Sequence, residues 1–491
     1  FHRRSLTISA SFPFWKRGVV VLVGACLIGL CIFGIRGRTG YNPIKVSAAY
    51  FCQDAFLNQL GVSPTFNLLT SVMDDMRPEN KYLHLMDEQE AITKAQALLN
   101  RQGEVAVSPL AVYRHASKAD SVQQGRPNVV LIMMESMSSK LMKHFGQSET
   151  LTPFLDSLYT RSISFRNFYS AGIHTNHGLY ATLYSFPAMM KRNLMKGSVI
   201  PRYSGLPTVL KENGYYNLFF MTHEGQYDNM NAFFRTNGYD EVFSQENYPA
   251  DKVVNSFGVQ DDFLYDYAIP VLNQRAATGE PFFATLLSIS NHPPYVIPPF
   301  FHPKTSEPET QIVEYADWAL RKFFEEARKQ PWFDNTIFVL EGDHGKLVGD
   351  AECELPESYN HIPLMIYSSR IHPEERNTFG GQVDIQPTIL GLLNIDYLQN
   401  NFGVDLLKEE RPCMFYTADN MIVGRNDTLL YLYNYETQQE FTYHIDNGKL
   451  KAVPMDDLFL PLKEYSFSML QSAEFLVKHG KTVNSVPFTQ Q

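Results

Sequence analysis

Cysteine is scarce in this chain and follows no metal-binding spacing. Five cysteines are spread over 491 residues. Cys26 and Cys31 fall in an apolar run, where they act as small hydrophobes. Cys52, Cys353 and Cys413 show no CxxC pattern, which sets aside a zinc ribbon. One disulfide among them is compatible with the count, and nothing in the spacing selects it. Positive charge is also in short supply. Lys and Arg number 42 against 52 Asp and Glu, a formal net charge of −10. Nucleic-acid binders carry a basic stripe, so that class of partner is disfavoured. There is no internal repeat and no low-complexity tract. Apolar residues make up 44% of the chain and charged ones 19%, which suits a folded protein. The length allows one large catalytic domain with smaller additions.

Long apolar runs are equally rare; one stands out. Residues Gly18 to Ile35 (GVVVLVGACLIGLCIFGI) carry no charge. As a helix they span ~27 Å, about one hydrocarbon core. Arg3, Arg4, Lys16 and Arg17 precede the run, and Arg36 and Arg38 follow it. No amphipathic face is visible, which favours a membrane span over a buried core helix. No small-residue cleavage site follows, which argues against a signal peptide. Basic residues on both sides leave the orientation rule undecided. The reading adopted puts the N-terminus in the cytoplasm. The chain opens on Phe1 and not on Met, which points to an upstream portion.

The rest divides by texture. Residues 1–17 form a cytoplasmic or inter-span segment, and residues 18–36 the transmembrane helix. Residues 37–126 read as a helical juxtamembrane linker, with strong helix formers from Glu88 to Leu99 and a loop from Gly103 to Arg126. From Pro127 to about residue 411, near-continuous apolar strands alternate with helices. Strands are expected at Asn128–Met134, Tyr216–Met221, Pro281–Ile289, Thr336–Gly342 and Ile362–Tyr367. Helices are expected around Pro153–Leu158, Gln311–Lys329 and Asp384–Leu393. That alternation means an α/β fold with a mostly parallel sheet covered on both faces. Residues 412–491 read as a small antiparallel sheet and a last helix near Tyr465–Val477.

Candidate ligands cluster at the strand ends. Glu135, His292 and the Asp343–His344 pair each follow an apolar strand, and His223 does so less directly. In open α/β sheets, ligands bind at the carboxyl ends of the strands. A single buried acid there is as readily a helix cap. Several on one edge read instead as a site for a divalent ion such as Mn²⁺, Zn²⁺ or Mg²⁺. Thr175 follows Gly172 in a loop running into a helix. A helix start carries roughly +0.5 elementary charge, which favours an alkoxide and an incoming phosphate or sulfate. The plainer reading of Thr175 is an N-cap.

These motifs, taken in order, resemble a known family. Asn128–Glu135 (NVVLIMME), Thr152-Pro153-Phe154-Leu155, Thr175 in its loop, Ser290–Tyr295 (SNHPPY), Glu341–Gly345 (EGDHG) and Val383–Thr388 (VDIQPT) carry the likeness. So does Tyr41–Leu69. Neither EGDHG nor NHPPY is specific alone; the ordered set is. It is similar to the lipoteichoic acid synthase/phosphoglycerol transferase group of the alkaline phosphatase–sulfatase superfamily, over about residues 18 to 411.

The resemblance implies a sulfatase-like catalytic domain whose metal ligands are Glu135, Thr175, Asp343 and His344. Thr175 is then also the nucleophile, and His292 contacts the phosphoryl group or its leaving oxygen. Asp228 and Arg235 become candidate head-group contacts, and His177 a substrate neighbour. The 223–240 stretch departs from the synthases, whose Trp and Arg have no clear match there. That leaves the head group open. Some superfamily members place a second metal ligand where His361 stands. His292 and His361 are thus a possible second site, although one ion, with both histidines as hydrogen-bond partners, is the simpler reading. Asp240 and Asp384 read as structural. Sulfatases of the superfamily need Cys or Ser followed by x-Pro-x-Arg; Thr175-Asn176-His177-Gly178-Leu179 offers neither Pro nor Arg, which argues against sulfate hydrolysis.

The implied activity moves a phosphoglycerol-type head group from a membrane phospholipid to a glycan or lipid-linked hydroxyl. Its place would be the outer face of a bacterial cytoplasmic membrane. A phosphoethanolamine transferase, a phosphodiesterase using water, and an inactive membrane-anchored binding protein are the alternatives.

Overall fold

Eight strands make the central sheet of the computed structural model, which describes residues 13–38, 43–52, 55–77, 80–99, 113–116, 126–197 and 200–483. They are β1 (Asn128–Met134), β2 (Ile163–Tyr169), β3 (Tyr216–Met221), β4 (Glu241–Phe243), β5 (Phe282–Leu287), β6 (Thr336–Gly342), β7 (Leu364–Tyr367) and β8 (Glu374–Gly381). Their spatial order is β4-β3-β5-β1-β6-β7-β2-β8. Only β7 runs antiparallel to its neighbours, β6 and β2.

The sheet is covered on both sides because its central strands are apolar on both. In β1, Val129, Leu131 and Met133 belong to one core and Val130, Ile132 and Met134 to the other. Alternate side chains leave a strand on opposite faces, so an unbroken apolar run requires two covers. One cover holds α6 (Thr175–Tyr184), α7 (Leu206–Glu212), α8 (Met230–Thr236) and α11 (Ile385–Leu392); the other holds α5 (Pro153–Tyr159), α9 (Asp261–Ala276) and α10 (Pro308–Ala327).

A second sheet follows, a five-strand antiparallel meander: β9 (Met414–Ala418), β10 (Met421–Arg425), β11 (Leu429–Asn434), β12 (Gln439–Asp446) and β13 (Lys449–Ala452). The last helix, α12 (Leu460–Lys478), buries Leu462, Tyr465, Met469, Leu470, Ala473 and Leu476. Helix α4 (Glu88–Leu99), in the stretch read as a linker, lies against α12 through Ala91, Ile92, Ala95 and Leu99. Lys478 pairs with Glu88 at 2.8 Å, and the Leu85 amide donates to Gln471 Oε1 at 2.7 Å. The linker is therefore fastened to the far end of the chain. Within the expected loop from Gly103 to Arg126, Tyr113–Ala116 is a strand paired with Tyr397–Asn400; residues 103–112 and 117–125 lie outside the described residues.

Helix α1 (Phe14–Arg36) has 23 residues, none of them buried, and a mean hydropathy of 2.8 over its most apolar window. It is the one described helix long and apolar enough to cross a membrane. Two short helices follow, α2 (Ala55–Leu60) and α3 (Pro64–Asp75).

Several features depart from the expectation. Strands β2, β4 and β8 fall where no strand is expected; in β2, Arg166 and Asn167 break the apolar pattern. Strand β7 runs against the others. The fold is otherwise the expected mostly parallel α/β sheet with a small antiparallel sheet behind it.

Candidate active site

Strand register builds the site. β1 and β6 pair in parallel from Asn128 with Thr336 to Met134 with Gly342. One step further, Glu135 and Asp343 face each other beyond the sheet edge. The Asp343 amide still donates to Met134 O at 3.0 Å, and the Glu135 amide donates to Ser288 Oγ at 3.0 Å. The end of β5 is thereby tied to the same point.

Each ligand candidate is held by groups that leave one atom over. Asp343 Oδ1 accepts from the amides of Ser136 and His344 at 2.8 and 2.7 Å. Glu135 Oε1 accepts from Ser136 Oγ at 2.6 Å. Glu135 Oε2 and Asp343 Oδ2 are buried and meet no donor. The His344 ring shares Nδ1 with Gly345 O at 2.8 Å, which leaves the Nε2 lone pair free. That nitrogen stands 3.6 Å from Asp343 Oδ2 and 3.9 Å from Glu135 Oε1. One ligand atom from each of the three residues falls within 4.8 Å of the others. Ligands ~2.0–2.2 Å from a shared ion lie up to ~4 Å apart, so the spacing suits a divalent cation. Burial drives the Glu135 carboxyl well above its ordinary range, and the neighbouring Asp343 charge adds to the shift. Two orphaned carboxylate oxygens in a buried site need a proton or a metal ion between them. The residues present therefore fit a metal ion.

Helix α6 is aimed at the same point. Thr182 Oγ1 donates to Glu341 Oε1 at 2.5 Å. One turn earlier, Gly178 lies so close to β6 that a Cβ there would stand 2.3 Å from Asp343 O. Residues 175, 178 and 182 share one helical face, which puts Thr175 on the side of α6 turned to the end of β6. His174 is the N-cap residue and caps with its main chain only; Thr175 is the first helical residue. The expected N-cap role for Thr175 is thus not the observed one. Gln382 fixes the arrangement from below. Its Nε2 donates to the carbonyls of Gly342 and Asp343 at 3.1 and 2.7 Å, and its Oε1 accepts from the Ala171 amide at 2.9 Å.

A family model described as Sulfatase matches residues 127–395, more than half of the chain. The chain belongs to the sulfatase family. Lipoteichoic acid synthase 1 of Bacillus subtilis (strain 168) is 25% identical to it over 354 residues, covering 66% of this chain and 54% of that protein. The lipoteichoic acid synthase of Staphylococcus aureus (strain USA300) is 24% identical over 327 residues, covering 58% and 48%. The chain spans about half the length of the curated relatives it matches. Among solved structures, an alkaline phosphatase superfamily protein from Vibrio parahaemolyticus superposes with a TM-score of 0.74 at 24% identity, covering 83% of this chain and 100% of that one. The lipoteichoic acid synthase LtaP from Listeria monocytogenes gives 0.63 at 22% identity, covering 72% and 92%. These likenesses show the alkaline phosphatase-type fold.

The other residues singled out in the sequence of this sulfatase-family chain take varied places. His292 follows Asn291, whose Nδ2 donates to Ser136 O at 3.1 Å, and its ring lies 4.1 Å from that of Phe257. His223 is buried and stacked on Tyr227 at 4.6 Å; burial pushes its imidazole down to about 4. His361 has a different setting. Its Nε2 meets Arg166 O at 2.8 Å and its ring stacks on Tyr169. Among the described residues, no group of three metal-competent side chains includes His292 or His361. His177 is fully buried against Tyr180, and a Cβ on Gly172 would stand 2.4 Å from its Nδ1. A substrate contact, as expected from its position beside Thr175, does not fit that burial; the α6 turn carries the ring inward. His174 is the exposed member and pairs with Asp419 at 2.8 Å. Asp228 pairs with Lys196 at 2.9 Å. Arg235 donates from Nε to Asn231 Oδ1 at 2.8 Å on its own helix. Asp384 is buried and forked by Arg411, with Nε at 2.9 Å from Oδ2.

Tyr227, Lys346 and Gln382 escaped the sequence reading. Burial, then the charges of Asp228, Glu135 and Asp343, push the Tyr227 hydroxyl up to about 12, which places it in the field of the acid pair. Lys346 Nζ donates to Asn291 Oδ1 at 2.7 Å and lies 5.3 Å from the Tyr295 ring centre. The available signals were Tyr227 four residues past a strand-end His, and Lys346 two past the Asp-His pair.

Proposed function

We propose that this chain is a membrane-anchored, metal-dependent phosphotransferase. It moves a phosphoglycerol-type head group from a phospholipid to an acceptor hydroxyl through a phospho-threonine intermediate. One observation carries the reading: Glu135 and Asp343, buried and each with an unpartnered oxygen, meet His344 at one sheet edge, where α6 packs. In this reading residues 127–411 are the catalytic unit, on the extracytoplasmic side of a bacterial cytoplasmic membrane that α1 spans. The acceptor is a glycan or lipid-linked hydroxyl.

Glu135, Asp343 and His344 would hold one divalent cation together with the Thr175 oxygen, Mn²⁺ foremost and Zn²⁺ or Mg²⁺ as alternatives. When bound, that ion offsets the repulsion between two anions, ~4 kcal/mol at ~4 Å and a dielectric of about 20. Thr175 attacks phosphorus as its alkoxide, and the start of α6 faces the incoming phosphoryl oxygens with its amides. The bond from phosphorus to the diacylglycerol oxygen breaks, and His292 gives that oxygen a proton. An acceptor hydroxyl then loses its proton to His292, attacks the phospho-threonine and restores Thr175. Ser136 and Gln382 hold the acids and the strand end still during both halves.

The test uses vesicles of phosphatidylglycerol labelled in the head group, the full chain and Mn²⁺. Transfer or release of labelled glycerophosphate is the expected result. Preferential release from phosphatidylethanolamine vesicles would reassign the donor. Ready hydrolysis of a soluble nitrophenyl ester without transfer would make water the acceptor. Purified protein that binds no metal and turns over neither lipid would be a binding protein.

A further inference from the structure

An apolar face lies uncovered just beyond the end of α1. Leu68, Leu69, Val72, Met73 and Met76 are all exposed, the last to 77%. Their spacing of i, i+1, i+4, i+5 and i+8 runs down one side of α3. Phe51 and Leu60, each 68% exposed, add further apolar surface to the same segment. Contiguous apolar patches of this kind mark interaction surfaces.

Two observations say what covers it. The first is continuity. Gly37, with φ of 76°, ends α1, and the Ile44 amide donates back to Arg36 O at 2.9 Å. The chain thus turns back on the end of its own membrane-length helix, and α2 and α3 start from there. The second is charge. Lys45 stands in the fields of Lys196 and Arg77 and of the acids Asp228 and Glu224; Lys196 pairs with Asp228 and Arg77 with Asp74, and Arg36 and Arg38 stand at the helix end. An apolar helical face with a charged border is the pattern of a helix lying in the interface of a bilayer.

We propose that α3 lies in the membrane plane, with Leu68, Leu69, Val72, Met73 and Met76 among the acyl chains and the charged residues at its border level with the head groups. The proposal deepens the functional reading, since that reading takes the substrate from the bilayer. It adds how the site is held at the surface. Arg38 Nη2 pairs with Glu224 Oε1 at 2.7 Å, and the Lys45 amide donates to Gln226 Oε1 at 3.2 Å. Both partners belong to the His223–Asn229 loop, whose Tyr227 lies in the field of Glu135 and Asp343. The seat of α3 therefore sets the height of that loop above the bilayer.

The full chain, reconstituted in phosphatidylglycerol/phosphatidylcholine vesicles with or without brominated acyl chains, tests this. Leu69→Trp and Met73→Trp each add emission to that of the parent, which holds three tryptophans. That added emission should be blue-shifted and quenched by brominated lipid, while Thr437→Trp on the distant β11–β12 turn should stay unquenched. Solvent-like or unquenched emission at Leu69→Trp and Met73→Trp, or equal quenching at Thr437→Trp, overturns the proposal; a blue shift without quenching would mean a protein cover. In a second arm, the Leu69→Asp/Met73→Asp chain should turn over vesicle lipid about tenfold more slowly, with a soluble nitrophenyl ester unaffected. Equal lipid turnover overturns the seat. Quenching without any lipid turnover would leave the seat standing and remove the proposed function.

Discussion

Replacing Gly178 by alanine isolates the placement of α6. Elsewhere in a helix this change stabilises, by ~0.4–1 kcal/mol, because alanine has less backbone freedom to lose. Here the added Cβ would stand 2.3 Å from Asp343 O and 2.9 Å from Gln382 Nε2, where ordinary contact begins at 3.4 Å. The carbonyl belongs to a paired strand end and cannot swing aside. The helix start must therefore back away by ~1 Å, and Thr175 moves with it. Overpacking of this size costs ~1–3 kcal/mol. A reacting atom displaced by ~1 Å loses ~10²-fold in rate. Head-group release from phosphatidylglycerol vesicles should accordingly fall ~10²-fold in kcat. Mn²⁺ binding, followed by calorimetry, should persist, because Glu135, Asp343 and His344 are untouched. Urea titration reads the stability change in the same preparation. Undiminished turnover by a protein as stable as the parent, or more so, would refute the claim that α6 delivers the reacting group to the Asp343 end.

Three further outcomes follow from the same geometry. Thr175→Ala should keep the far-UV circular dichroism of the parent and lose turnover by ~10³-fold or more, with Thr175→Ser recovering part of it; full activity of the alanine chain would exclude Thr175 as nucleophile. The Glu135 carboxyl is raised above 4.5 in the fold, so the metal-free protein loses stability from this group as pH rises from 4.5 through the raised value. A cation replaces that proton, so Mn²⁺ should raise the melting temperature more at pH 8 than at pH 5; equal shifts would contradict the assignment. Asp384→Asn strips the partner from a guanidinium whose side chain is 1% exposed and should cost ~3–5 kcal/mol in urea unfolding; a loss below ~1 kcal/mol would show that the pair does not hold α11 to the chain entering the second sheet.

The metal-competent group was legible because each member follows an apolar strand on its own terms. Glu135 ends NVVLIMM, and Asp343 and His344 end TIFVLEG; parallel register supplied the rest. Residues whose role lies across the chain were not legible. Gln382 holds the strand end through carbonyls about forty residues away, and no local pattern announces that. His177 and His174 look alike in sequence, yet the helix turn buries one and exposes the other. His361 sits before a strand, and because β7 runs antiparallel, with Leu364 opposite Glu341, that start lies at the edge where β6 ends; its ring goes to Arg166 O and Tyr169. Strand direction is a property of the whole sheet, which apolar periodicity does not encode. The apolar face of α3 was equally hidden, inside a segment that reads only as a helical juxtamembrane linker.

The central claim is a covalent one, and the Thr175 peptide reports on it directly. The full chain is incubated with head-group-labelled phosphatidylglycerol and Mn²⁺, quenched in acid, digested and examined by mass spectrometry. The account predicts a glycerophosphate adduct on Thr175 that disappears when an acceptor alcohol is added. An unmodified Thr175 peptide from protein that is turning the lipid over, or an adduct on another residue, would contradict it.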